Sequence, residues 1–203
     1  EGATKSVDQS LGGIISKLVK DGESKGNKGE MTLIHTLGMI SPTRVVVAGL
    51  GKPSDLDEDA IRIVSSQACN FLRGKGVQKI ATISHGTGIG GIDPLASGRA
   101  VAEGSILGLY QFNKYKSDNE CKNEIKELTI VEVDSTKINK LQKGVSEGTL
   151  LANATNLCRN MVNEPANIMT PTRMAKVALE IAKKGAFVTV IDSSKNMLEI
   201  VEN

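Results

Sequence analysis

The segment Arg44-Val45-Val46-Val47-Ala48-Gly49-Leu50-Gly51 carries consecutive β-branched side chains with no alternation between apolar and polar residues. This pattern is typical of a strand that is buried on both faces of a sheet. We predict a strand over 44–50 and a second buried strand over 79–84, with a helix between them. Strands that alternate with helices favour parallel pairing through right-handed crossovers, which predicts an α/β fold.

The other elements are predicted from apolar periodicity, capping residues and glycine stops. We expect further strands at 31–36, 128–133 and 186–191, and a short first helix that carries Leu11, Ile14 and Leu18. The later helices are expected after a cap at Asp55 or Asp57, from Asp93-Pro94 to Leu109, over 138–161, from Thr170-Pro171 to about Lys184, and from 192 onward. Leu150, Ala154, Leu157 and Met161 form the apolar stripe that indicates one long helix. The sequence thus predicts a first domain over 1–135, a connector helix over 136–162 and the beginning of a second domain over 163–203.

Composition excludes several classes of protein. The chain has 25 basic and 23 acidic residues and no Trp, so neither a strong electrostatic field nor an aromatic platform favours nucleic acid or a membrane as partner. Three widely spaced cysteines, Cys69, Cys121 and Cys158, indicate free thiols in a reducing compartment. Cys69 and Cys158 are expected to lie in the core.

A glycine-rich loop, Gly86-Thr87-Gly88-Ile89-Gly90-Gly91, lies between a predicted strand and a predicted helix and satisfies the pattern Gly-x-Gly-x-x-Gly. A dinucleotide site would need the helix to begin inside this motif, whereas Asp93-Pro94 predicts a later start. It would also need an acidic residue about 20 residues further on, and the next strand ends only at Asp134. We interpret the loop as a flexible connection. The alternative is a nucleotide or ADP-ribose site on Gly86, Gly88 and Gly91.

Catalytic and metal-ligating side chains are sparse. His85 and His35 have no partners at ligand spacing, so neither is assigned a catalytic or metal role. The chain contains no Gly-x-Ser-x-Gly turn for a nucleophilic serine. Acidic residues are interleaved with Lys114, Lys116, Lys122 and Lys126, which indicates a solvated surface rather than a binding patch.

The strongest signal in the chain is the junction Asn163-Glu164-Pro165-Ala166-Asn167 with the helix start Thr170-Pro171 after it. Pro165 forces Glu164 out of helical geometry. Pro171 is suited to the first turn of a helix. At the physical level this segment predicts a tight turn between two helices.

The wider segment 160–171 resembles the junction of the leucyl aminopeptidase family, the M17 metallopeptidases. Three further segments are similar to that family in the same order and spacing. They are 102–116, which ends in Tyr110-Gln111-Phe112 and Tyr115-Lys116, then 46–56 with Gly49-Leu50-Gly51-Lys52, and the connector helix 148–159. The resemblance extends from about residue 8 to residue 200.

This resemblance implies a macro-domain-like α/β domain with a mixed or parallel sheet flanked by helices, followed by a connector helix and the first αβ unit of a second domain. Members of the family are cytoplasmic hexamers that use two divalent metal ions, Mn or Zn, to remove amino-terminal residues from peptides, with Leu preferred. Their metal ligands lie in Gly-Lys-Gly-x-Thr-Phe-Asp-Ser-Gly-Gly and Asn-Thr-Asp-Ala-Glu-Gly-Arg segments. Neither segment occurs here, and Gly51-Lys52-Pro53 does not continue into the first one. We therefore expect an inactive part of a longer enzyme, with no catalytic and no metal-binding residue in this chain.

Overall fold

A computed structural model of the chain describes residues 2–88, 90–116, 123–183, 185, 186 and 188. The elements are α1 (Ala3–Ser10), α2 (Ile14–Lys20), β1 (Met31–His35), β2 (Arg44–Ala48), α3 (Glu58–Gly74), β3 (Lys79–Ile83), α4 (Pro94–Leu109), β4 (Glu127–Val131), α5 (Ser135–Asn163) and α6 (Pro171–Ala182). This arrangement confirms the predicted α/β class. The chain divides into two compact units, Glu1–Asn156 and Leu157–Asn203.

The strands form two pairs of opposite sense. β3 and β4 are parallel, with Lys79 opposite Glu127 and Ile83 opposite Val131, and α4 is the crossover helix between them. β1 and β2 are antiparallel, with Met31 opposite Ala48, so the prediction of parallel pairing is wrong for this pair. The reason is the short connection over 36–43, since adjacent antiparallel strands need only a turn whereas parallel strands need a crossover.

The β-branched strand β2 is less buried than its sequence predicts. Every residue of β2 is half-buried rather than buried on both faces. Val45 and Val47 pack on a cluster of buried residues formed by Leu11, Ile15 and Ile34. One face of β2 is thus covered by the first two helices, where apolar periodicity predicts a single helix.

Those two helices are separated because the backbone of Gly12 and Gly13 has positive φ angles of 65° and 83°. An L side chain adopts such angles only at a cost, so the glycines permit the break. Asp8 then tightens the turn, as its carboxylate accepts hydrogen bonds from the amides of Ile15 at 2.7 Å and Ser16 at 3.2 Å.

Helix α3 begins where one of the two predicted caps lies. The carboxylate of Asp57 accepts a hydrogen bond of 2.7 Å from the amide of Ala60, whereas Asp55 lies in a preceding short 3-10 turn over Pro53–Asp55. Ile61, Val64 and Cys69 are buried along this helix. The predicted core position of Cys69 is confirmed.

Helices α3 and α4 approach each other closely because two residues of α4 have no side chain. A Cβ atom at Gly104 would overlap the backbone carbonyl of Arg62, and one at Gly108 would overlap the side-chain oxygen of Ser66. Such an approach excludes water and brings the two helix backbones into direct contact. Larger residues at either position would push α4 away from α3.

The opposite side of α4 meets α5 in the same manner. A Cβ atom at Gly98 would lie 2.6 Å from the carbonyl oxygen of Leu141, and Cβ atoms at Gly144 and Gly148 would overlap the carbonyl oxygens of Leu95 and Arg99. The buried residues of α5 are accordingly Leu141, Gly144, Gly148 and Ala152.

The long helix α5 confirms the predicted helix over 138–161, but its buried face differs from the large apolar stripe that indicated it. Leu150 is 71% exposed, and Cys158 is exposed, so the predicted core position of Cys158 is wrong. The contact with α4 selects small residues, and the large ones therefore lie outside it.

The second unit contains α6 among its described residues. The hydroxyl of Thr170 accepts a hydrogen bond of 3.3 Å from the amide of Arg173, and Pro171 occupies the first helical position, which confirms the predicted start. The predicted strand at 186–191 and the helix after it lie outside the described residues, apart from 186 and 188. Within the described part of the chain, no helix is both long enough and apolar enough to span a membrane.

We expect Gly144→Ala to lower the free energy of unfolding by about 1–3 kcal/mol, because the added methyl group must displace the carbonyl of Leu95. Helix propensity alone predicts the opposite sign, a gain of roughly 1 kcal/mol. Urea unfolding followed by circular dichroism measures the difference.

Gly74→Ala, at the end of α3, is the matched control, since no heavy atom lies within 4 Å of its Cβ position. Its stability should be unchanged or slightly raised. A Gly144→Ala chain as stable as this control would contradict close packing of α4 on α5.

Candidate functional site

A polar cluster lies beside the glycine loop, where the parallel strands β3 and β4 end. Ser84 follows β3 directly, and Glu132 follows β4 directly. The hydroxyl of Ser84 donates a hydrogen bond to Oε2 of Glu132. Thr87 joins them, because its hydroxyl lies 3.0 Å from that of Ser84 and donates to the Ser84 carbonyl at 3.2 Å. In parallel sheets this edge is the usual place for ligands.

Glu132 is an ionised carboxylate, and both of its oxygens accept hydrogen bonds. Its Oε1 accepts hydrogen bonds from the amides of Val133 at 2.9 Å and Asp134 at 3.1 Å. The pKa of Glu132 is lowered, chiefly by the hydroxyl of Ser84 and then by the amide of Asp134. Hydrogen bonds to the charged form stabilise it. The ionised Glu132 at the end of β4 is therefore hydrogen-bonded to Ser84 at the end of β3 and links the two strand ends.

The glycine loop folds back on itself beside this cluster. Gly86 has a φ of 77°, its carbonyl accepts the amide of Ile92 at 2.9 Å, and a Cβ atom there would lie 2.7 Å from Cγ1 of Ile92. Gly88, in contrast, is exposed and has no atom within 4 Å of its Cβ position. The glycine at 86 therefore serves a tight turn. Whether the loop is flexible stays a prediction.

The amino terminus of α4 is already occupied by a carboxylate. Asp93 accepts a hydrogen bond from the amide of Leu95 at 2.9 Å and pairs with the Lys140 ammonium at 3.0 Å. The pKa of Asp93 is lowered, first by Lys140 and then by the Leu95 amide. An incoming phosphate would be repelled by this carboxylate. In a phosphate site, by contrast, the first amides of the helix are free to donate to the ligand.

A second lysine beside the loop is also engaged. The ammonium of Lys137 donates to the carbonyl of Thr87 at 3.5 Å and lies 3.6 Å from the carboxylate of Asp134. Each lysine beside the loop is thus paired with a carboxylate of the chain itself, Lys137 with Asp134 and Lys140 with Asp93. The arrangement favours the interpretation of 86–91 as a connection over a nucleotide site on Gly86, Gly88 and Gly91.

The histidines are not brought together. Nε2 of His85 lies 3.1 Å from the hydroxyl of Thr82, and burial lowers the pKa of His85, which keeps the ring neutral at pH 7. His35 is exposed and ends β1, opposite Arg44. Across the described ranges, no three His, Cys, Asp or Glu side chains are grouped so that they could hold a metal ion.

Sequence reasoning missed the pairing of Ser84 with Glu132. A signal was present, because each residue comes directly after a predicted strand and parallel strands end at the same edge. Lys114, Lys116 and Lys126 are exposed, as the predicted solvated surface requires. Lys122 and Cys121 lie outside the described residues.

Residues 1–119 match the N-terminal domain of the cytosol aminopeptidase family, and the chain therefore belongs to that family. It is 38% identical over 180 residues to a probable cytosol aminopeptidase of Alkaliphilus metalliredigens, covering 88% of this chain and 36% of the relative. It is 31% identical over 195 residues to the cytosol aminopeptidase of Pseudomonas aeruginosa, covering 95% of this chain and 39% of the relative. The chain thus spans somewhat more than a third of the length of these relatives.

Solved structures agree on the fold. A mutant of tomato leucine aminopeptidase superposes with a TM-score of 0.76 at 22% identity, over 94% of this chain and 37% of the other. The bottromycin maturation enzyme BotP, in complex with Mn, superposes with a TM-score of 0.67 at 22% identity, over 83% of this chain and 34% of the other.

The stability that Glu132 provides by linking the ends of β3 and β4 should depend on pH. In the folded chain the pKa of Glu132 lies below its usual value of 4.5, so the ionised form stabilises the fold above pH 4.5, and this stabilisation is lost as the pH falls through the lowered pKa. We expect Glu132→Gln to lower the urea midpoint at pH 7 and to lose less stability than the parent chain below pH 4.5. Glu124→Gln, at an exposed position, is the control for loss of one negative charge. An acid transition equally steep in parent and Glu132→Gln chains would contradict this role.

ADP-ribose and NAD should show no binding of micromolar strength, about −8 kcal/mol, in isothermal titration calorimetry. The reason is the carboxylate of Asp93 at the helix terminus and the pairing of both neighbouring lysines with carboxylates of the chain. Gly88→Val provides a clean probe, because its side chain would enter open space. Saturable binding that this substitution abolishes would establish the nucleotide site instead.

Proposed function

We propose that this chain is the non-catalytic amino-terminal portion of a metal-dependent leucyl aminopeptidase. One observation carries the proposal: residues 1–119 match the N-terminal domain of the family, while the chain spans only 36% of its Alkaliphilus relative. The polar cluster around Ser84 and Glu132 supports the non-catalytic assignment, since its hydrogen-bonding groups are used within the chain.

The whole protein would remove amino-terminal residues, with Leu preferred, from peptide substrates. The relatives are described as cytosol aminopeptidases, and one structural neighbour is a leucine aminopeptidase. These descriptions also support a cytoplasmic location. The preference for Leu rests on the resemblance of the junction around Asn163 and on that neighbour.

Two divalent metal ions, Mn or Zn, would be held by the part of the enzyme beyond this chain. The neighbour BotP is known in complex with Mn. A two-metal site needs carboxylates that converge on both ions and activate water. The two sequence segments that carry such ligands in the family do not occur over 1–203, so the ligands must come from elsewhere in the polypeptide.

The role of this portion would be to provide assembly contacts and to shape access to the active site, in a homo-oligomer that family resemblance suggests is a hexamer. The exposed leucines of α5 support such contacts. Leu150, Leu151 and Leu157 are 71%, 49% and 39% exposed, and exposed apolar patches are typical of contacts between proteins. The proposed organisation is a first domain over 1–135, a connector over 136–162 and the start of the peptidase domain over 163–203.

The purified 203-residue chain should not hydrolyse leucyl-p-nitroanilide or a leucyl peptide, even with added Mn²⁺ or Zn²⁺. The assay is run beside the Pseudomonas aeruginosa enzyme as a positive control. Metal-dependent release of product that follows the chain through a sizing column would show that catalytic groups lie within these residues.

The reading frame itself tests the proposed peptidase activity of the whole protein. The codons after Asn203 should encode a Lys-containing and Asp-rich segment and then a second one with Asp and Glu. A frame that continues without either segment would contradict the proposed peptidase.

A further inference from the structure

Helix α5 carries apolar residues on two opposite sides. One side contains the buried residues Leu141, Gly148 and Ala152 and packs on α4. Leu150 lies about two and a half helical turns after Leu141, and Leu157 lies the same distance after Gly148, so both leucines lie on the side away from α4. Because α5 is continuous from Ser135 to Asn163, this follows from helix geometry alone. A helix that is apolar on both sides needs a second partner.

The side away from α4 repeats with the spacing of a coiled coil. Its residues follow one another by four, three and four positions and are named here the outer stripe: Leu150, Ala154, Leu157 and Met161. This spacing is the alternation of d and a positions in a heptad, whose natural partner is another helix. The first three residues are exposed and Met161 is half-buried. The outer stripe thus has the pattern of a helix–helix contact and the exposure of an unpaired surface.

We propose that the outer stripe binds the outer stripe of a second copy of this chain, with the two helices antiparallel. In that orientation the a positions of one helix lie opposite the d positions of the other. Leu150 would pair with Met161, and Leu157 would pair with Ala154, and each pair would form twice about a two-fold axis. At the centre of the contact a large residue meets a small one, which allows close interdigitation.

The residues beside the outer stripe favour the antiparallel orientation. There the e positions of the two helices adjoin, which brings Leu151 of one copy beside Cys158 of the other. Both side chains are exposed, and their contact would remove apolar surface from water. In a parallel pair an e position adjoins a g position, so Leu151 would meet Ser146, whose hydroxyl donates to the carbonyl of Gln142. The antiparallel pair therefore buries more apolar surface against apolar surface.

This contact belongs to the homo-oligomer of the proposed function and rests on it in that respect, but it requires no peptidase chemistry. The outer stripe is only about two heptads long, which is shorter than most stable coiled coils. We therefore expect a weak dimer, with a dissociation constant on the order of 0.1 mM. The peptidase assay and the reading frame test the proposed function separately, so either proposal can fail alone.

The first test measures association. Analytical ultracentrifugation of the 203-residue chain with reduced thiols, up to about 1 mM, should show a dimer that forms as the concentration rises. Leu150→Asp should weaken this association at least about tenfold, because it places a charge in the contact. Circular dichroism checks that the fold is kept, as expected for an exposed position.

Val133→Asp is the matched control, since Val133 is an equally accessible apolar residue, 96% exposed, outside the helix. It should associate as the parent chain does. A chain that stays monomeric throughout, or a Leu150→Asp chain that associates as tightly as the parent, would overturn the proposal and leave the outer stripe to another partner.

The second test measures orientation. With Cys69 and Cys121 replaced by Ala, Leu151→Cys is combined with the native Cys158, and copper-phenanthroline should link two copies by disulfides. The two positions lie about two turns apart on one helix, too far for a bond within one copy. The chain with Cys158 alone is the control and should not be linked. Absence of linkage in the paired chain, or equal linkage in the control, would contradict the antiparallel contact.

Discussion

Direct contact between helix backbones on both sides of α4 is the constraint on which the first unit depends. Gly104 admits the backbone of α3, and Gly98 admits that of α5. Dispersion contacts are strongest at this separation and decline steeply if it grows. Because α4 is also the crossover between β3 and β4, its position sets where the two strand ends and the following loop lie.

The cluster at those strand ends has its hydrogen-bonding capacity used internally. Ser84, Thr87 and Glu132 satisfy one another, and Asp93 satisfies the amino terminus of α4. A binding site needs hydrogen-bonding groups that are held in position but not already paired, because a ligand can form hydrogen bonds only with groups that the protein has left unpaired. The same hydrogen bonds that order this edge therefore make it structural.

Helix α6 in the second unit begins with local hydrogen bonds, but its apolar face is only partly buried. α6 has its predicted cap at Thr170 and one buried residue, Val177, while Met174 and Ile181 are 54% and 40% exposed. Local hydrogen bonds suffice to begin a helix, but its apolar face is stabilised only by burial.

Local chemistry in the sequence was enough to predict most elements. A few adjacent residues determine each of these elements, because their effects act on neighbouring backbone groups. Examples are the β-branched run of β2, the cap and proline at Asp93 and Pro94, and the turn before Thr170. The α/β class followed from the order of these elements. At the candidate site the sequence predicts a glycine loop, with a nucleotide site as the alternative, and it does not contain the distance from Ser84 to Glu132.

Tertiary contacts determine the pairing of strands and the buried faces of helices, which the sequence pattern does not predict. The antiparallel sense of β1 and β2 depends on which edges meet, and the buried side of α5 depends on how closely Gly144 can approach α4. Large apolar residues such as Leu150 predict burial when surface area is the only criterion. Close packing of two helices reverses this preference, since the smallest side chains allow the greatest contact between backbones. The sequence by itself thus determined which segments are helices and strands, and the tertiary structure decided their partners and faces, because those depend on atoms far apart in the chain.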